Sequence, residues 1–94
     1  MTIKDKIPVT ELLAGLAEEA TELAQAALKL RRVFDGTNPT PVTEVEATDR
    51  LYEEIADTAL YLDMLDYNHQ TIEQLKEEKL RRWEKRLGLT DAGR

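Results

Sequence analysis

Residues 10–34 read TELLAGLAEEATELAQAALKLRRVF. Leu12, Leu16, Leu23, Leu30 and Phe34 recur at intervals that hold one face of a helix apolar, and nothing in the stretch breaks a helix before Asp35-Gly36. The spacing predicts a helix over residues 10–34. At 1.5 Å per residue it is about 37 Å long, which is long for a chain of 94 residues.

The linker DGTNPTPV, residues 35–42, carries two prolines and a glycine and cannot continue the helix. Thr43 followed by Glu46 matches a capping box and starts a second helix, expected over residues 43–67. Asn68-His69-Gln70 reads as a short turn. Thr71 with Gln74 offers another capping box, for a third helix over residues 71–87 with Gly88 as its stop. No strand pattern competes. The expected fold is all-α, one domain spanning residues 1–94, an antiparallel bundle of three main helices whose four-helix core is completed by dimerisation.

Composition removes several classes of chemistry. The chain has no Ser, no Cys and one His, His69, so a Ser or Cys nucleophile and the usual Cys/His zinc sites are excluded. A formal charge of −6 lacks the footprint of a nucleic-acid polymer binder. MTIKDKIP has no signal-peptide core and no run is apolar enough for a membrane span, so a soluble, cytoplasmic protein is expected. Charge is unevenly spread. Residues 43–67 hold eight acids (Glu44, Glu46, Asp49, Glu53, Glu54, Asp57, Asp63, Asp66) against Arg50, whereas residues 71–87 hold six bases (Lys76, Lys79, Arg81, Arg82, Lys85, Arg86) against four acids.

The acids carry the more specific signal. Relative to the leucine stripe, Glu19 falls about 60° away, Glu22 about 120°, and Glu18 nearly opposite. With the second stripe taken as Leu51, Ile55, Thr58 and Leu62, Glu54, Asp57 and Glu53 repeat that arrangement. Each helix therefore presents an inner pair three residues apart and an outer, solvated acid. One Glu-x-x-Glu is commonly surface charge, but two on matching flanks converge when the helices pack antiparallel. Four converging carboxylates must take up protons or share a cation, and a hard ion such as Mg²⁺ suits oxygen ligands. A di-iron bundle requires Glu-x-x-His, which His69 is misplaced to supply. An EF-hand over residues 35–46 fails at Pro39 and Thr40.

On the third helix the stripe is Ile72, Leu80, Trp83 and Leu87. Lys79, Arg82 and Arg86 lie on one flank, with Arg81 and Lys85 pointing away. Alone, this is an amphipathic helix anchored by Trp83. Beside an acidic metal site it is what a polyphosphate requires, cation on one side and Lys and Arg on the other.

Taken together, Glu-x-x-Glu (Glu19, Glu22), Glu-x-x-Asp (Glu54, Asp57) and Lys-x-x-Arg-Trp-x-x-x-Arg (Lys79, Arg82, Trp83, Arg86) resemble the MazG-like nucleoside triphosphate pyrophosphohydrolases. That all-α superfamily also includes dimeric dUTPases and phosphoribosyl-ATP pyrophosphatase. The similarity covers residues 10–87. It implies a homodimer or homotetramer that hydrolyses a nucleoside triphosphate to the monophosphate and pyrophosphate, with Mg²⁺, or Mn²⁺ in its place, held by Glu19, Glu22, Glu54 and Asp57. One of the four would orient or deprotonate the attacking water. Lys79, Arg82 and Arg86, with Lys29 and Tyr61 as further candidates, would hold phosphates. Surface and packing roles serve equally well for Lys29 and Tyr61. The Glu22–Glu54 separation is long for such motifs, and the segment that often shapes the base pocket in relatives is expected to be mostly missing. Two other classes stay open: a non-catalytic helical oligomerisation or nucleotide-sensing module of the same fold, and a hairpin docking a partner through its acidic residues 43–67.

Overall fold

In a computed structural model, which describes residues 3–39 and 41–89, Pro8 sets the start of the first helix, α1 (Val9–Asp35). Its carbonyl accepts from the Glu11 and Leu12 N–H groups, and its fixed φ of −60° suits entry into a helix. At the other end Gly36 takes a left-handed conformation, φ 75°, which a side chain would strain. That turn lets the Thr37 N–H reach back to the Arg32 carbonyl at 2.9 Å, satisfying an end group the helix leaves open. Asp35 completes the stop by accepting from both the N–H and the hydroxyl of Thr37, contacts that hold its carboxyl below the usual range.

The second helix, α2 (Glu44–Met64), is capped as expected. Thr43 Oγ1 accepts from the Glu46 N–H at 3.1 Å. The same hydroxyl also donates to Glu46 Oε1, so the two side chains lock each other. The helix stops three residues short of the expected Tyr67, because Leu65 turns extended and Asp66 is drawn to Lys4 of the 3₁₀ turn Ile3–Lys6. That partner is 62 residues distant, and no local pattern announces it.

The third helix, α3 (His69–Arg86), begins earlier than the Thr71 box suggests. Asn68 is the cap, its Oδ1 accepting from the Thr71 N–H at 3.0 Å, so His69 and Gln70 are helix rather than turn. Gly88 ends it with the same left-handed turn as Gly36. The linker residue Thr40 and the chain ends, residues 1–2 and 90–94, lie outside the described residues, so the DGTNPTPV linker and MTIKDKIP are described only in part.

Packing is concentrated between α1 and α2, which form an antiparallel hairpin. Its register is fixed by two contacts: the Thr58 hydroxyl donates to the Glu19 carbonyl at 3.3 Å, and the Tyr61 ring lies over Gly15. Along the centre of the seam stand Leu12, Gly15, Glu19, Glu22 and Ala26 on α1, flanked by half-buried Leu16, Leu23 and Leu30, and Ala47, Leu51, Glu54, Thr58 and Tyr61 on α2. Both sets step by alternate threes and fours, the repeat of a helix–helix seam. Among the described residues, the fully buried apolar ones are Leu12, Ala26 and Ala47.

This corrects the expected facing of α2. Ile55 and Leu62, assigned to its buried stripe, are exposed, and Glu54 stands at the centre of the seam instead of 60° off it. The reason is size: Gly15, Ala26 and Ala47 let the backbones approach along the neighbouring stripe. Ile55 and Leu62 are then left on an open face of α2, while Leu12 of the α1 stripe is buried and Leu16, Leu23 and Leu30 are half-buried. Phe34, at the end of the α1 stripe, is 64% exposed.

The third helix joins no common core. All its described residues are exposed except half-buried Glu84. Caps and local ion pairs, Lys76 with Glu73 and Arg81 with Glu77, sustain it. The molecule measures 45 × 45 × 17 Å, and its radius of gyration, 17.5 Å, exceeds the roughly 12 Å of a compact domain this size.

Among the described residues, no helix is long and apolar enough to cross a membrane.

Candidate metal centre

The seam gives α1 and α2 opposed acids at mid-length. Glu19 and Glu22 lie one turn apart on α1, and Glu54 faces them from α2, one turn before the Thr58 that ties the helices together. Each of the three offers a carboxylate oxygen within 4.8 Å of the others. Glu54 is the most deeply buried large side chain, 2% exposed, while Glu19 and Glu22 are half-buried.

Two oxygens in this cluster are buried with no hydrogen-bond partner: Glu19 Oε2 and Glu54 Oε2. An unsatisfied buried acceptor costs on the order of 1–3 kcal/mol, more when charged, so such atoms call for a proton or a cation. Loss of hydration raises the Glu19 carboxyl above its ordinary range, and the charges of Glu22, Asp57, Glu54 and Glu18 push it further. Glu54 is raised for the same first reason. Arg50 opposes that rise, and Glu22 and Asp57 add to it. The donor set is all oxygen, partly dry and mutually repulsive. It fits a hard divalent cation and offers nothing a soft metal prefers.

The four expected ligands thus divide. Glu19, Glu22 and Glu54 converge, whereas Asp57 is exposed on the flank and reaches Glu19 and Glu54 through its charge. Glu18 and Glu53, taken as solvated spares, are exposed.

The basic residues are placed elsewhere. Lys79, Arg82 and Arg86 line a shallow hollow beside Trp83 on α3, and Lys85, expected to point away, lines it too. None of these side chains is among the charges that shift Glu19 or Glu54. One chain therefore does not bring the basic hollow to the acids. Lys29, half-buried, is two turns beyond Glu22 on α1.

Tyr61, two turns beyond Glu54, lies so close over Gly15 that a β-carbon there would fall 2.3 Å from the ring. This packing accounts for its position without a ligand. It also yields a prediction of changing sign. Gly15→Ala alone should destabilise the hairpin by forcing the ring aside, although alanine favours helix by about 1 kcal/mol. In a Tyr61→Ala background the same substitution should stabilise by about that amount. Urea melts of the four proteins measure both; stabilisation in both backgrounds would contradict the contact.

Two residues of this centre have roles that the sequence pattern hid. Thr58 was assigned to an apolar stripe, yet its hydroxyl bonds across the seam. Arg50, the lone base of an acidic segment, pairs with Glu54 at 2.9 Å, and the i,i+4 spacing is the signal that could have found it.

Comparison with protein-family models, with curated proteins and with solved structures finds no match to this chain.

Proposed function

We propose that the chain is a Mg²⁺-dependent nucleoside triphosphate pyrophosphohydrolase that works as a homo-oligomer. The observation that carries the reading is the pair of buried, unpartnered oxygens on Glu19 and Glu54 within a three-carboxylate cluster. Glu19, Glu22 and Glu54 would hold the cation, with Asp57 closing the set from the flank. Bound there, Mg²⁺ would neutralise phosphate oxygens and acidify the attacking water. The carboxylates orient that water and accept its proton as its oxygen bonds to the α-phosphorus. The bridge to the β-phosphorus then breaks, and pyrophosphate leaves with the electron pair. The scissile bond follows from the resemblance to MazG-like enzymes.

Lys79, Arg82 and Arg86 would hold the departing phosphates once their helix stands beside the acids. A second copy is the natural means. The open face of α2 exposes Ile55 and Leu62, Leu60 is exposed on another side of the helix, and α3 exposes Leu75, Leu80 and Trp83, the last at 59%. Surfaces this apolar favour burial against another subunit. The basic α3 also complements the acidic α2 in charge.

Incubation with a panel of nucleoside triphosphates and Mg²⁺ tests the reading. Pyrophosphate release is expected from at least one nucleotide, with a particle at least twice the 10.7 kDa chain mass in light scattering. No release from any of them would leave the non-catalytic module, a reading favoured by the separation of α3 from the acids within one chain.

A further inference from the structure

Arg50 is the only base in α2, and its guanidinium does something specific. Its Nη2 lies 2.9 Å from Glu54 Oε1, and its Nη1 lies 3.9 Å from Glu53 Oε2. The Arg50 and Glu53 side chains are 58% and 69% exposed, whereas that of Glu54 is 3% exposed. A guanidinium at the edge of the seam thus reaches in to one oxygen of a buried carboxylate, steadied from outside by a solvated acid. The other oxygen, Glu54 Oε2, has no partner and is buried within the cluster of Glu19 and Glu22.

We propose that Arg50 is a positioning residue for the metal centre: it commits Glu54 Oε1 to itself and so presents Oε2 alone to the cation. The inference rests on the metal reading above and deepens it. A carboxylate free to rotate could turn either oxygen inward, or chelate with both. With Oε1 paired to one nitrogen of the guanidinium, Glu54 is a single-oxygen ligand of fixed direction. Ligand-orienting partners of this kind commonly contribute 10- to 100-fold to metal affinity. The arrangement also gives Glu53 a use, as the outer anchor of Arg50.

The test is calorimetric titration with Mn²⁺ of the full chain and of Arg50→Ala, Arg50→Lys and Glu53→Gln, with helicity followed by circular dichroism. Arg50 is exposed, so the variants should keep parental helicity in chelator. Arg50→Ala should bind Mn²⁺ about 10- to 100-fold more weakly. Arg50→Lys, which keeps the charge but not the planar guanidinium that reaches both Glu54 and Glu53, should recover only part of the loss, and Glu53→Gln should lose less than Arg50→Ala. Equal or tighter binding by Arg50→Ala would overturn the proposal, since Arg50 would then be a bystander or a competitor for Glu54. Full recovery by Arg50→Lys would overturn it too, by showing that charge alone matters. Absence of Mn²⁺ binding by the parent chain would overturn the metal reading itself, a result distinct from either.

Discussion

Glu54→Gln is expected to yield a protein more thermally stable than the parent in chelator at pH 7.5, yet unable to bind Mn²⁺ and at least about 100-fold slower in releasing pyrophosphate. The two effects share one cause. Ionising Glu54 works against the fold, because burial and the charges of Glu22 and Asp57 disfavour its anion and Arg50 offsets only part of that. Glutamine keeps the shape and removes the charge, relieving the apo seam while removing a ligand. Glu18→Gln, one residue from Glu19 but exposed, should change neither property. A purely structural Glu54 would make the variant less stable; a solvated one would leave it unchanged. Thermal melts in chelator and in Mn²⁺, run beside the pyrophosphate assay, separate these outcomes.

The apo protein should lose stability as pH rises above the ordinary glutamate value of 4.5. Folding raises the Glu19 and Glu54 carboxyls, so through that window the folded chain holds more protons than the unfolded one. Stability then falls with rising pH until both groups are ionised in the fold as well. Asp35 acts in the opposite sense, since its carboxyl is lowered from 3.8 by Thr37; its contribution is present at higher pH and lost on acidification below that value. The two windows are therefore separable. Saturating Mg²⁺ or Mn²⁺ should reverse the upper trend, because it binds the ionised carboxylates and stabilises the fold most where the apo seam is weakest. Melting temperatures from pH 4 to 8, with chelator and with metal, measure this. A chelated protein whose stability stays flat or climbs from pH 5 to 7.5 would contradict the account.

What the chain discloses before folding is local chemistry. Thr43 with Glu46, Asp35-Gly36 and Gly88 mark helix ends by interactions spanning only a few residues, and the structure places ends there. The recurrence of Glu19-x-x-Glu22 in Glu54-x-x-Asp57 is likewise a property of spacing, and three of those acids meet. What stays hidden depends on distant partners or on choices between similar surfaces. Asn68 and Thr71 are both competent caps, and Asn68 wins by starting the helix two residues sooner. The early stop of α2 involves Lys4, far away in sequence. The rotation of α2 is the most consequential case. Two neighbouring stripes run along α2, one carrying Ile55 and Leu62 and one carrying Ala47, Glu54 and Thr58. Hydrophobic spacing points to the first, whereas the hairpin closes on the second because Gly15, Ala26 and Ala47 allow close approach. That rotation carries Glu54 from the flank to the centre of the seam. It also leaves Ile55 and Leu62 open, and whether another subunit covers them is a question of assembly that spacing within one chain does not address.

The divalent-cation site proposed at the α1–α2 seam is built from Glu19, Glu22 and Glu54. Calorimetric titration of the full chain with Mn²⁺ at pH 7.5 tests it most directly, repeated with a non-hydrolysable nucleoside triphosphate analogue present. Saturable binding that a chelator reverses and that Glu54→Gln abolishes is expected. No saturable binding, with the nucleotide or without it, would contradict it.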